Sequence, residues 1–299
     1  MTIRAALFDV GDTLVEHWAG RDVTNRIARA RVCAALGEPA WIDDLLAAEL
    51  EPVAPASLAQ RIGQRQSGTR FEPESSRQET EAWYRAWFEG RGVDLNGIEL
   101  DRLRSLMCVP LAEISTPVPG AFDALRWCSR QGLRVVLVTN TLARGDVEVL
   151  EDWKRFGLQD VLHAVVSSHS AGWRKPHPRI FERALDMAEV APGEAFHVGD
   201  NLVADVYGAQ QLGIRAIWRR APRLVPPSDE RGRPPDAFDA SRSACQHPSE
   251  HLTLVGDAVV CASCGRPAEI DLTPDSVIED LTELPAVVGR WIGADERVT

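Results

Sequence analysis

Four short apolar runs, at 133–138, 161–167, 195–198 and 214–218, are separated by stretches of helical periodicity, and a fifth run opens the chain at 3–8. Runs this short, bounded by turn residues, read as strands buried on both faces. They alternate with helical patterns at 121–130, 146–156, 178–188 and 203–212. That alternation predicts βαβ units and hence a parallel sheet with helices on both sides. The expected class is α/β, with a Rossmann-like three-layer core.

Two of the runs end in a carboxylate. Phe8 is followed by Asp9, in the stretch Phe8-Asp9-Val10-Gly11-Asp12-Thr13-Leu14, and Val198-Gly199 is followed by Asp200, with Asp205 five residues on. An open parallel sheet receives its ligands beyond the carboxyl ends of its strands. Two acids at neighbouring tips repel each other unless a cation neutralises them. Hard carboxylate oxygens with few other ligands suit Mg²⁺. The pattern therefore predicts a metal site in which one carboxylate is free to attack phosphorus.

Size and charge narrow the class further. The chain has 299 residues, 44% of them hydrophobic, enough for a core domain with insertions. Its formal net charge of −11 argues against a nucleic-acid partner, which needs a basic footprint. The apolar run at the start is too short for a signal peptide and ends in an acid, and no stretch has the length of a membrane span. Six cysteines in a chain of this length without a secretory signal do not resemble a disulfide framework. The expected location is cytoplasmic. Cys33, Cys108 and Cys128 read as small buried hydrophobes.

Between about 15 and 117 the strand runs disappear and helical patterns take over, at 24–36, 41–51, 78–90 and 99–107. Trp83, Trp87 and Phe88 share one helix face, a spacing that predicts core packing. From 221 to 243 the chain is a Pro-, Arg- and Asp-rich linker. The segment 244–272 holds Cys245, His247, Cys261 and Cys264, and 274–292 reads as a short strand and a helix.

Four short motifs occur in order: Asp9-Val10-Gly11-Asp12-Thr13; Val138-Thr139-Asn140; Gly172-Trp173-Arg174-Lys175-Pro176 with Ile180-Phe181; and Gly199-Asp200-Asn201 with Asp205. Each alone is weak, but together, at strand ends, they are specific. In them the chain resembles the haloacid dehalogenase superfamily of hydrolases with a helical cap of the C1 type. The resemblance implies a catalytic core of residues 1–15 and 117–220, completed by 273–292, with the cap at 16–116. It implies Asp9 as nucleophile, forming an aspartyl-phosphate. It implies Mg²⁺ held by Asp9, the backbone carbonyl of Gly11 and Asp200, with Asp205 completing the acidic set and orienting Lys175 or a metal-bound water. Thr139 and the N–H of Asn140 would bond a phosphoryl oxygen, and Lys175 would place its charge on the same group. His197, inside a strand run, reads as a core residue.

One position departs from the family's phosphatases. Two residues after the nucleophile they carry a second Asp, which protonates the leaving oxygen and then activates water. Here that position is Gly11. The metal needs only the Gly11 carbonyl, but the missing proton donor is a group that contributes about 10²–10⁴-fold. A weakened phosphatase, a restriction to good leaving groups, or another acid such as Asp12 or Glu16 would each account for the change. The expected function is Mg²⁺-dependent hydrolysis of a small phosphomonoester. The alternatives are dehalogenation of a small haloacid, whose halide needs no proton, and a regulatory binding protein with a disabled core.

Cys245, His247, Cys261 and Cys264 form two pairs of soft ligands flanking 252–255 and 258–260, with the turn signal Gly256-Asp257 between. Such a hairpin resembles a zinc ribbon, and four protein ligands imply structural Zn²⁺. His251 is an alternative fourth ligand. The insert would pack beside the core, form an interface or bind a protein partner.

Overall fold

The structure, a computed structural model, describes residues 2–48, 75–93, 99–141, 143–220, 252–255, 258–261 and 272–292. The linker 221–243 and Cys245, His247, His251 and Cys264 lie outside the described residues, as does the end of the helix expected at 41–51.

Each of the five apolar runs is a strand. They are β1 (Ala5–Phe8), β4 (Arg134–Thr139), β5 (Ala164–Ser167), β6 (Ala195–Gly199) and β7 (Arg215–Arg219). The short strand expected near 274 is β10 (Ser276–Ile278), which pairs with β7. The sheet order is β10-β7-β6-β1-β4-β5, and all its pairs are parallel. Consecutive side chains point to opposite faces. Ala5, Leu7, Val136 and Val138 enter one apolar core, and Ala6, Phe8, Val135 and Leu137 the other. Two cores on two faces are the physical content of the three-layer expectation.

The helices beside the sheet match their apolar stripes. Pro178–Ala188 buries Ile180, Phe181, Ala184 and Leu185 against one face. Ala121–Arg130, Asp146–Arg155 and Leu284–Ile292 cover the other with Leu125, Trp153 and Val288. That second core runs on into the helices Arg21–Leu36, Ile42–Ala48, Ser75–Glu89 and Leu100–Met107 through Val32, Leu45, Phe88 and Leu103. Phe88 meets Trp41 and Trp87 edge-on, at ring centroids 4.9 and 5.0 Å apart, so this aromatic face packs into the core as the spacing predicts.

Two expectations are corrected. Strands do not vanish between 15 and 117: β2 (Val15–His17) and β3 (Ser115–Pro117) pair antiparallel and close the two ends of the helical stretch onto each other. Three-residue strands are too short to show a period. The helix expected at 203–212 begins as a π-helical turn, Leu202–Tyr207, and only Gly208–Gln210 is α-helical. Of the three cysteines expected in the core, Cys108 and Cys128 are buried, whereas Cys33 is half-buried with its Sγ 3.5 Å from Glu38.

Where the helical stretch returns to the sheet it is tied down by charge. Asp152 accepts from the Leu111 N–H at 2.8 Å and pairs with Arg144 at 2.6 Å. Arg104 pairs with Glu148 at 3.0 Å and donates to the Ala143 carbonyl. No helix among the described residues is long and apolar enough to cross a membrane.

Candidate active site at the strand tips

The sheet order decides which residues meet. β1 lies between β6 and β4, with Phe8 opposite Val198 and Leu137. Asp9 therefore leaves β1 beside Gly199-Asp200 on one side and Thr139 on the other. The Asp9 N–H donates to the Val198 carbonyl at 2.9 Å, which extends the ladder by one bond and holds Asp9 at the tip. The carboxylates of Asp9, Asp200 and Asp205 place oxygens within 4.8 Å of one another.

Asp205 reaches this group because the chain turns sharply after β6. The Asn201 side chain accepts from the N–H groups of Val203 and Ala204 and so caps the π-helical turn. The turn carries Asp205 back under Gly199. A Cβ at residue 199 would lie 2.2 Å from the Asp205 Cγ, so only glycine leaves room for that approach. Asp205 Oδ2 then accepts from the Asn201 N–H at 3.1 Å.

Lys175 arrives from a loop 166 residues along the chain from Asp9. Its Nζ donates to Asp9 Oδ1 at 2.5 Å and to Asp205 Oδ1 at 2.6 Å, and all three side chains are buried. Asn140, at the tip of β4, clamps that loop: its Oδ1 accepts from the Lys175 N–H at 2.8 Å and its Nδ2 donates to the Lys175 carbonyl at 3.0 Å. Thr13 donates to Asp9 Oδ2 at 3.0 Å. The Asp9 carboxylate is thus held from both oxygens.

The electrostatics follow from burial and from these pairs. Burial opposes ionisation of Asp205, yet Lys175 and the His197 ring hold its carboxyl well below the usual range. Burial likewise works against the Lys175 charge, but Asp205 and Asp9 raise its pKa. Burial raises the Asp9 carboxyl despite the pull of Lys175. Asp200 is pushed up to about 7, first by burial and then by the charges of Asp9 and Asp205. Burial lowers the pKa of His197, whose Nε2 lies 2.9 Å from Asp205 Oδ1. Once ionised, three carboxylates facing one ammonium carry an excess of negative charge that a divalent cation would offset.

This arrangement has a measurable pH signature. Asp200 is protonated more readily in the folded chain than in the unfolded one, where its pKa is about 4. Its contribution to the stability of the metal-free protein is therefore present below about pH 4 and is lost as pH rises through about 7. Asp200→Asn is expected to raise the melting temperature in chelator at pH 8 more than at pH 5.5. Equal shifts at the two pH values would show that Asp200 carries no such strain.

Beside the tips opens a cleft of about 350 Å³. Gly11, His17, Thr139 and Asn140 line it, together with Thr24 and Tyr84 from the helical stretch. Asp12 is exposed, takes φ +55°, and does not line this cleft. Its carbonyl is held by the buried Arg219 guanidinium. The structure thus brings together Asp9, Gly11, Thr139, Asn140, Lys175, Asp200 and Asp205, and places Asp12 at the exposed edge, where its charge still contributes to raising Asp200. Thr13 and Tyr84 were not legible as site residues. Their only signals were a hydroxyl four residues after Asp9 and an aromatic beside Trp83.

A parallel sheet that delivers a lysine-bound carboxylate to the tip of an interior strand, with two further acids beside it, defines an α/β protein with a strand-tip reaction centre. Residues 3–213 match the family described as haloacid dehalogenase-like hydrolase, and the chain belongs to that family. It is 35% identical over 124 residues to haloacid dehalogenase-like hydrolase domain-containing protein 3 of Bos taurus, covering 42% of this chain and 48% of that protein. It is 36% identical over 104 residues to glyceraldehyde 3-phosphate phosphatase of Pyrococcus furiosus, covering 34% and 41%. It is 38% identical over 116 residues to phosphoserine phosphatase of Thermus thermophilus, covering 39% and 45%. The matched stretches span less than half the length of these relatives. Among solved structures, 2-haloacid dehalogenase from Pseudomonas syringae shares the fold, with a TM-score of 0.55, 22% identity and coverage of 97% of this chain and all of that one.

Proposed function

We propose that the chain is a Mg²⁺-dependent phosphohydrolase acting on a small phosphomonoester through Asp9. The observation that carries this reading is the Asp9 carboxylate, held by Lys175 on one oxygen and Thr13 on the other beside two further carboxylates. Asp9 attacks phosphorus and the leaving oxygen departs; water then cleaves the aspartyl-phosphate and returns the carboxylate. Thr139 and the Asn140 N–H bond the phosphoryl oxygens, and Lys175 places its charge on the same group. Asn140 contributes again by holding the Lys175 backbone. The donor set fits Mg²⁺: hard oxygens, an uncompensated negative charge, and Asp200 raised to about 7 by burial and then by its acidic neighbours. Asp9, the Gly11 carbonyl and Asp200 would hold the ion, with Asp205 behind them. When bound it screens the repulsion between Asp9 and a phosphate dianion. The helices between β2 and β3 act as a C1-type cap that reads the substrate.

Relatives named as phosphatases support this reading over dehalogenation, as does the acidic set, which suits a bound cation that halide displacement does not use. Turnover of p-nitrophenyl phosphate with Mg²⁺ and with chelator is the direct test. Hydrolysis that chelator abolishes is the expected result. Halide release from a chloroacid without phosphate hydrolysis would overturn it.

The segment 244–272 is read as a structural zinc module. Its strands β8 (Leu252–Val255) and β9 (Ala258–Cys261) pair antiparallel with Leu252 opposite Cys261. That register brings the chain entering β8 and the chain leaving β9 to one end of the hairpin, which supports Cys245, His247, Cys261 and Cys264 as one ligand set. The purified protein is expected to carry about one zinc per chain. Serine at both Cys261 and Cys264 is expected to release it and make 244–272 protease-sensitive, with the sheet still folded. Unchanged metal content by elemental analysis would remove the assignment.

A further inference from the structure

We propose that His17 is the general acid and base of this site, in the place left by Gly11; the proposal rests on the phosphohydrolase reading above. A Cβ at Gly11 would meet nothing within 4 Å, and Gly11 lines the cleft. The space at Gly11 is therefore open to a side chain from elsewhere.

β2 supplies it. The strand starts four residues after Gly11, and Gly11 bridges to Val15. It is pinned to β3, with His17 opposite Ser115. Alternation along a strand sends Glu16 and His17 to opposite faces. The Glu16 carboxylate lies 3.6 Å from Arg219, whereas His17 lines the cleft together with Gly11 and Thr139. Asp12 is exposed and outside the lining. His17 is exposed as well, but of these three side chains it is the one that lines the cleft, while Asp12 acts on it as a neighbouring charge.

The cleft offers no better proton carrier among its described residues. Arg144 is permanently charged and paired with Asp152. Burial pushes the Cys108 thiol up to about 11. A phenol, such as the Tyr84 side chain carries, is ordinarily a far weaker acid than imidazolium. Imidazole is the group that changes charge near neutrality. The charges facing His17 are Asp12 from the turn after β1, and Arg144 and Asp152 from the loop and helix across the cleft. Burial is the largest influence and lowers the pKa of His17 below its ordinary value.

The proton balance closes. As the Asp9 oxygen bonds to phosphorus and the bond to the leaving oxygen breaks, imidazolium gives its proton to that oxygen. Neutral imidazole then takes a proton from water as the water oxygen attacks phosphorus. The bond from phosphorus to Asp9 breaks, and the cycle ends with imidazolium, free Asp9 and inorganic phosphate. An alkoxide needs the first proton, whereas p-nitrophenolate does not.

The experiment compares glycerol phosphate with p-nitrophenyl phosphate in the presence of Mg²⁺, using the parent and His17→Ala. The expected loss in kcat/KM is about 10²-fold or more for the alkyl ester and under about tenfold for the aryl ester. With the aryl ester, His17→Ala is expected to give a burst of nitrophenolate and a lowered kcat, because hydrolysis of the aspartyl-phosphate becomes limiting. In the parent, kcat/KM for the alkyl ester should fall as pH rises through a value below 6.5, and His17→Ala should lose that step. Gly11→Asp combined with His17→Ala should restore alkyl turnover. Equal losses on both esters without a burst, as a structural role would give, or no loss on the alkyl ester, would overturn the proposal. A parent inactive on both esters would instead overturn the phosphohydrolase reading.

Discussion

Asp9→Asn is expected to lower kcat by about 10³-fold or more while the protein stays folded. The amide removes the attacking oxygen. It still accepts a hydrogen bond from Thr13 or Lys175, so the contacts at 3.0 and 2.5 Å are only partly lost. It also removes a charge that raises Asp200, whose pKa should fall from about 7. Mg²⁺ binding should weaken, because a hard anionic ligand has gone. Single-turnover kinetics with p-nitrophenyl phosphate, alongside a melting curve, test this. Residual kcat within tenfold of the parent would exclude Asp9 as nucleophile.

Lys175→Met should produce the largest loss of stability. The ammonium is buried and bridges Asp9 and Asp205 at 2.5 and 2.6 Å. Without it two buried carboxylates face each other beside Asp200 with no cation, and breaking a buried pair in this way costs about 3–5 kcal/mol. The penalty should shrink at low pH, where the acids take up protons, and in Mg²⁺, where the ion takes over part of the neutralisation. Activity should be lost with it. Denaturant melts at pH 8 and pH 5, with and without Mg²⁺, read all of this. A loss under about 1 kcal/mol that is insensitive to pH and Mg²⁺ would mean the three side chains are not coupled as the geometry describes.

Much of the acidic site was legible because its residues stand directly after buried strands. An apolar run followed by Asp9 or Asp200 states both the strand and its tip. Thr139 ends β4 for the same reason. Thr13 was not legible, since a hydroxyl inside a turn has many ordinary uses. His197 was read as a core residue, and it is buried. That its Nε2 faces Asp205 depends on the π-helical turn, which carries Asp205 under Gly199. Asn140 was read for its N–H alone, whereas its side chain holds the Lys175 loop 35 residues away.

By itself the sequence determined the α/β class, the strands and the acids at their tips, because burial on two faces imposes local periodicity that the residues must display. It also determined that position 11 has no side chain. The tertiary structure alone decided which tips are neighbours, through the order β10-β7-β6-β1-β4-β5. It brought Lys175 between Asp9 and Asp205, and it set His17 in the same cleft lining as Gly11 through a pair of three-residue strands, β2 and β3. Contacts between residues a hundred or more positions apart are set by how whole layers pack, and no local pattern encodes them.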